Sequence, residues 1–106
     1  MEKVIRGTTP TIIVETDIDV SLIADLRISF AQDDKQVVCK SKDDCTLDGF
    51  TISVTLTQEE TLKFDCKKPL EIQARAISLG GEVAASDVMQ IAVMKCHNNE
   101  VLCVGT

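Results

Sequence analysis

The chain has 106 residues, 44% of them apolar and 26% charged, a formal net charge of −6, and no tryptophan or tyrosine. This length and composition predict one globular domain, residues 1–106, with a single core. The bases are scattered apart from Lys40, Lys42 and the Lys67–Lys68 pair, which argues against nucleic-acid binding, and the apolar runs fall short of the roughly 20 residues that cross a bilayer.

The N-terminal part of the chain predicts a strand and one helical turn. Residues 11–16 read T-I-I-V-E-T, and Pro10, which lacks a backbone N–H, suits a strand at a sheet edge. Asp19 or Ser21 can cap a short turn directly afterwards. We expect that turn to bury two apolar residues, Leu22 and Ile23.

A hairpin follows the helical turn. Residues 25–32 predict a strand with Leu26, Ile28 and Phe30 on its inner face, and residues 36–40 predict the returning strand after an acidic turn. Cys39 is expected to behave as a small buried apolar residue of this second strand.

The clearest strand signal in the chain lies between Asp48 and Thr57, which read D-G-F-T-I-S-V-T-L-T. Apolar and hydroxyl side chains alternate, which is typical of a strand buried on one face. The predicted inner face consists of Phe50, Ile52, Val54 and Leu56, and the outer face of Thr51, Ser53, Thr55 and Thr57. Gly49 supplies the tight turn before the strand.

A short helix is predicted next, because Thr57 and Glu60 have the spacing of a capping box. It should bury Leu62 and Phe64 and connect the two sheets. Pro69 ends it, and residues 70–78 predict a further strand whose inward positions are Leu70, Ile72, Ala74 and Ala76.

The remaining residues predict a last strand and a tail. Gly80 and Gly81 are expected to form a hairpin turn, and residues 83–94 a last long strand or a bent pair of strands, with a bulge or bend at Ser86–Asp87. Residues 95–106 lose the alternation and are expected to be a mobile tail. Together these elements predict an all-β, immunoglobulin-like antiparallel β-sandwich of about six to eight strands with one short helix between strands.

The five cysteines are expected to be free thiols, because their number is odd and no C-x-x-C pair occurs. Cys96, His97 and Cys103 are the candidate metal ligands, since thiolate and imidazole suit zinc. A fourth ligand is missing, and adjacent Cys96 and His97 would point in opposite directions on a strand. We therefore predict no metal and no cofactor, and keep a thiol- or zinc-containing binding protein as the alternative.

The acidic pairs have structural explanations. Asp33–Asp34 suits a turn, Asp43–Asp44 a polar loop, and Glu59–Glu60 the first turn of a helix. No general base, nucleophile or phosphate-binding loop is evident beside them. The sequence therefore predicts no catalytic residue and no enzymatic activity.

Four segments resemble small structural proteins of prophages and tailed phages of Gram-positive bacteria: R-G-T-T-P-T, S-F-A-Q-D, L-T-Q-E-E-T-L-K-F and A-S-D-V-M-Q-I-A-V. The similarity extends from Arg6 to about Leu102. The arrangement also looks like the N-terminal β-sandwich domains of phage baseplate upper proteins. This resemblance implies a tail or baseplate accessory module that acts by protein–protein association, and it carries over no catalytic residue.

The expected partner is a protein, either a second copy of the chain in a homo-oligomer or another virion protein. Contact could be made through the edge strand 11–16, the threonine-rich face or the tail. The N-terminal residues have no apolar segment before Pro10, so we expect no secretory signal peptide and synthesis in the cytoplasm. The resemblance to phage proteins implies that this is a bacterial cytoplasm and that the chain is incorporated into a virion.

Overall fold

The computed structural model describes residues 3–104, which form nine strands, one α-helix and two 3₁₀ turns. The strands are β1 (Lys3–Ile5), β2 (Thr11–Glu15), β3 (Ile23–Gln32), β4 (Lys35–Ser41), β5 (Cys45–Asp48), β6 (Thr51–Thr55), β7 (Leu70–Ser78), β8 (Val83–Ala85) and β9 (Met89–Met94). The helix is α1 (Gln58–Leu62), and the 3₁₀ turns are Val20–Leu22 and Lys42–Asp44.

The strands form two sheets. One has the order β1-β9-β7-β3-β4, with β8 also paired to β7, and the other has the order β2-β6-β5. Every pair is antiparallel except β1 with β9. The order β2-β6-β5 corresponds to strands B-E-D of an immunoglobulin domain, and β9-β7-β3-β4 to G-F-C-C′. The predicted immunoglobulin-like sandwich is confirmed.

The core lies between the two sheets and follows the predicted alternation closely. The inward residues of β3 and β7 are buried, and Phe30 packs against Phe64 with ring centroids 6.4 Å apart and a 31° tilt. Each such side chain contributes about 1.5–3 kcal/mol by leaving water. The largest fully buried side chains are Phe30, Phe64, Leu26, Ile28, Leu56, Leu70, Ile72, Val4, Val54 and Thr61.

Helix α1 has the predicted capping box. The Thr57 backbone N–H donates to Glu60 Oε1 at 2.8 Å, and the Glu60 N–H donates to Thr57 Oγ1 at 3.2 Å. The helix connects β6 in one sheet to β7 in the other, as expected. It buries Thr61 rather than Leu62, which is only half-buried. The Thr61 hydroxyl lies against the β1–β2 connection, where it can form hydrogen bonds.

The tight turns use residues that tolerate a left-handed backbone. Asp33 and Asp34 have φ angles of 55° and 62° in the two-residue turn between β3 and β4, as in a type I′ hairpin. Gly49 has φ 59° between β5 and β6. Beyond β8, Ser86 produces the predicted bend, since its side-chain Oγ accepts from the Ala74 N–H at 2.9 Å.

Besides Leu62, three further predicted burials are wrong. Phe50 is 55% exposed, because β6 begins one residue later and Phe50 belongs to the Gly49 turn. Leu22 is 50% exposed, because the turn capped by Asp19 buries Val20 in its place, whereas Ile23 is buried as predicted. Cys39 is exposed, because its neighbour Val38 occupies the inward position of β4.

All five cysteines are free thiols, and none of them lies on β2 or β7. Those strands correspond to B and F, which carry the inter-sheet disulfide of antibody domains. Here no disulfide joins the sheets, and the core between them consists of aliphatic side chains together with Phe30 and Phe64. No helix within residues 3–104 is long and apolar enough to cross a membrane.

Candidate functional site

The three candidate zinc ligands do not form a metal site. Cys96 is half-buried just after β9, while His97 and Cys103 are exposed in the segment that follows. Within residues 3–104, no three His, Cys, Asp or Glu side chains are grouped as metal ligands would be. The zinc alternative therefore gains no support from the geometry.

The predicted tail has no regular secondary structure between residues 95 and 104. One side chain of α1 holds it, since Gln58 Nε2 donates to the Leu102 carbonyl at 2.9 Å and Gln58 Oε1 accepts from the Leu102 N–H at 2.8 Å. Asn99 Oδ1 accepts a further bond from Arg6 at 3.3 Å. The tail thus contacts the end of the sandwich that carries α1.

The acidic residues of the turns have structural roles. The Ser41 N–H and hydroxyl donate to Asp44 Oδ2 at 3.0 and 3.1 Å and lower the pKa of this carboxyl, and the Ser21 N–H does the same for Asp19 at 3.0 Å. Burial raises the pKa of the Cys45 thiol, and the Asp44 charge adds to this effect.

One lateral side of the sandwich, between β4 and β5, is closed by the chain itself. The 3₁₀ turn Lys42–Asp44 connects these two strands, which lie at the edges of opposite sheets. Lys40 on β4 forms a 2.7 Å ion pair with Glu60 on α1, and both side chains are largely buried. This side of the sandwich is therefore covered by the 3₁₀ turn and by the ion pair.

The opposite lateral side of the sandwich, beside β2, is closed only over its lower half, which is the half nearest α1. There the connection from β1 to β2 is fixed by the Thr61 hydroxyl, which accepts from the Gly7 N–H at 3.0 Å and donates to the Thr8 carbonyl at 2.9 Å. The Arg6 guanidinium donates to the Leu62 carbonyl at 2.8 Å. Above this connection the chain leaves the gap between the sheets open.

The open upper half is a cleft of about 1180 Å³ between β2 and the β7–β8 hairpin. Core side chains such as Leu26 and Ile72 form its floor. Its walls carry apolar side chains that are largely exposed: Ile13, Leu22, Leu79, Val83 and Val88. Several exposed apolar residues around one concavity are a common mark of an interaction site.

Strand β2 presents a free backbone edge along this cleft, because it pairs only with β6. Just outside the strand, the Leu56 N–H donates to the Pro10 carbonyl and the Thr16 N–H donates to the Phe50 carbonyl. In an antiparallel ladder, bonded residues alternate with residues whose backbone groups point away. Thr11, Ile13 and Glu15 therefore direct their N–H and C=O groups outward, and within residues 3–104 these groups have no partner.

Strand β8 presents a second free edge on the other wall. The Ser78 N–H donates to the Glu82 carbonyl and the Ser86 N–H donates to the Ala74 carbonyl, both at 2.8 Å. The same alternation directs the backbone groups of Val83 and Ala85 away from β7. In a constant-type immunoglobulin domain, strand A pairs with strand B, which corresponds to β2 here. In residues 3–104 the strand before β2 is instead paired with β9.

The charged side chains that line the cleft are all acidic: Glu15, Asp17, Glu82 and Asp87. All four are exposed, and none forms an ion pair within the described part of the chain. The cleft therefore combines an apolar floor, two free strand edges and a negative rim.

The sequence predicted the β2 edge but not the cleft. Proline before residues 11–16 indicated an edge strand, which the sheet order confirms. The second wall of the cleft, formed by the β7–β8 hairpin, depends on the pairing of both β8 and β9 with β7. This pairing is set by contacts between residues distant in the sequence, and no local pattern reveals it.

Comparisons with known proteins give a structural likeness only. No family model matches the chain, and no curated protein matches it. Among solved structures, the V domain of amphioxus IgVJ-C2 is similar with a TM-score of 0.38 and 13% sequence identity, covering 88% of this chain and 99% of that one.

Proposed function

We propose that the chain is a non-enzymatic structural and interaction protein of a phage or prophage, an accessory module of the tail or baseplate that acts by binding another protein. The phage assignment depends on the sequence resemblance of residues 6–102. The association itself is supported by the free edge of β2 beside the apolar cleft. That observation carries the proposal, because strand edges and exposed apolar clefts are surfaces through which proteins join.

The composition of the exposed surface also favours a protein partner over other ligands. The only aromatic side chains are three phenylalanines, of which Phe30 and Phe64 are buried. Phe50 alone is exposed, so the surface offers no aromatic platform on which a sugar or a base could stack. The net charge of −6 opposes contact with phosphates.

The absence of catalysis is part of the same proposal. The carboxylates with lowered pKa, such as Asp19 and Asp44, accept hydrogen bonds from their own turns, and the Cys45 thiol has a raised pKa. A protein that binds through strand edges needs none of these groups to be reactive.

The gene neighbourhood and the composition of the particle test this function together. Genes for tail tape-measure, baseplate or lysis proteins should flank the gene, and mass spectrometry of gradient-purified particles should detect peptides of this chain. Co-expression with each neighbouring tail protein should yield a stable complex. Metabolic genes on both sides, or purified particles and co-expressed tail proteins that all lack the chain, would contradict the proposal.

A further inference from the structure

We propose that the cleft between β2 and the β7–β8 hairpin receives an extended segment of a partner protein, which adds as a strand to β2 and carries apolar side chains at alternate positions and Lys or Arg at its flanks. This deepens the proposed function and rests on it, because it names the surface and the chemistry of the partner's segment.

The backbone of β2 provides the first part of the argument. Thr11, Ile13 and Glu15 each direct an N–H and a C=O away from β6. An added strand would satisfy these groups with regular ladder hydrogen bonds, each of which favours binding. The groups point outward at every second residue, so the occupant must be extended rather than helical.

The cleft provides the second part. A strand paired with β2 would direct alternate side chains into the gap between the sheets, where core residues such as Leu26 and Ile72 form the floor. On the other wall, Val83 and Val88 remain exposed in the free chain. Apolar side chains of the occupant would cover these groups, and removing this apolar surface from water would favour binding.

The charge of the rim selects the kind of occupant. Glu15, Asp17, Glu82 and Asp87 are acidic and exposed. Flanking Lys or Arg on the occupant would pair with them and would steer the encounter. A second copy of this chain is a poor occupant, because it carries a net charge of −6 and its own β2 would bring Glu15 to this rim.

A labelled peptide provides the probe. The sequence K-K-V-T-V-T-V-K-K combines alternate valines with basic flanks, and E-E-V-T-V-T-V-E-E is its acidic control. Fluorescence anisotropy should show micromolar binding of the basic peptide and no binding of the acidic one. In NMR hydrogen exchange, the amides of Thr11, Ile13 and Glu15 should become protected when the basic peptide is bound.

Two variants test the contribution of the β2 backbone edge separately from that of the acidic rim of the cleft. Ile13→Pro removes an outward N–H that β6 does not use, and we expect affinity to fall about tenfold or more while the far-UV spectrum is retained. The double reversal Glu15→Lys with Glu82→Lys should also weaken binding about tenfold. Its matched control is Asp43→Lys with Glu100→Lys, which changes the net charge equally outside the cleft and should stay within about twofold.

Three results with the isolated chain would overturn the inference. The first is failure of the basic peptide to bind the wild-type chain at millimolar concentration, and the second is equal binding of both peptides. The third is a dimer in sedimentation that Ile13→Pro abolishes, because the occupant would then be a second copy. If a complex with a virion protein forms and its affinity is unchanged by both variants, the inference fails while the proposed function stands. If no complex with any tail protein forms, the proposed function itself fails.

Discussion

The side chain of Gln32 forms two hydrogen bonds with the backbone of Asp65, although the two residues are far apart in the chain. Gln32 Oε1 accepts from the Asp65 N–H at 2.8 Å, and Gln32 Nε2 donates to the Asp65 carbonyl at 2.7 Å. The same Nε2 donates to the Lys68 carbonyl at 3.1 Å. At 6% exposure, this amide ties the end of β3 to the loop between α1 and β7.

Replacing Gln32 with leucine should therefore be costly despite the similar size. Three backbone groups of the loop would lose their partner in a partly buried place, at about 1–3 kcal/mol in total. The free energy of unfolding, measured in urea, should fall by that amount. Gln36→Leu is the matched control, because the Gln36 side chain is exposed and its one hydrogen bond within residues 3–104 is with the exposed Ser29 hydroxyl. Equal effects of the two substitutions would contradict the structural role of Gln32.

The Thr61 hydroxyl should contribute comparably. Thr61→Val keeps the shape of the side chain but leaves the Gly7 N–H and the Thr8 carbonyl without their partner. We expect a loss of about 1–3 kcal/mol in the free energy of unfolding. The control is Thr55→Val on the exposed face of β6, which should stay within about 0.5 kcal/mol. A neutral Thr61→Val would show that the lower half of the open side is not fixed as described.

The ion pair between Lys40 and Glu60 predicts a dependence of stability on pH. Burial alone would raise the pKa of Glu60, but the hydrogen bonds from Lys40 and from the Thr57 N–H, together with the Lys40 charge, lower it below 4.5. A carboxylate with a lowered folded-state pKa stabilises the fold above its unfolded-state pKa, and this contribution is lost as pH falls through the folded value.

Accordingly, the wild-type chain should exceed Glu60→Gln in unfolding free energy by about 1 kcal/mol at about pH 7, and the difference should shrink below about pH 4.5. Urea unfolding at several pH values measures this difference. Glu59→Gln is the control, since Glu59 lies in the same helical turn and makes no contact with Lys40. A difference between wild type and Glu60→Gln that does not change with pH would contradict the assignment.

The thiols should react with iodoacetamide in an order set by exposure. Cys39 and Cys103 are exposed, whereas Cys45 packs against the core, donates to the Ser41 carbonyl at 3.2 Å and has a raised pKa. The thiolate is the reactive form, so Cys45 should be alkylated last at mildly alkaline pH. Peptide mapping by mass spectrometry after timed quenching gives the order. Early labelling of Cys45 in the folded chain would contradict its placement.

The sequence predicted the long strands well because their signal is local. In β3, β6 and β7 the inward positions repeat every second residue, and the structure buries Ile28, Ile52 and Ile72 as expected. The same rule failed at Phe50. The alternating pattern includes Phe50, but this residue still belongs to the turn formed at Gly49. Alternation identifies a face but does not locate the residue at which pairing begins.

The short strands and the cleft could not be predicted for a different reason. Strand β1 has three residues and β5 has four, too few for a periodic pattern. Strand β1 also pairs with β9 near the other end of the chain, so no local signal marks it, whereas β5 forms a local hairpin with β6. Likewise, burial of Thr61 depends on the β1–β2 connection reaching α1. The candidate zinc residues were identified by type alone, and the fold leaves them apart because nothing in the tail directs their side chains to one point.

Amide-resolved hydrogen exchange of β2 in the free chain tests the open edge most directly. We expect slow exchange at Ile12 and Val14, whose N–H groups bond to β6, and fast exchange at Thr11, Ile13 and Glu15, whose N–H groups face solvent. Uniform protection along the strand would show that another segment already covers this edge. The cleft would then be closed, and the account of how this protein binds its partner would be contradicted.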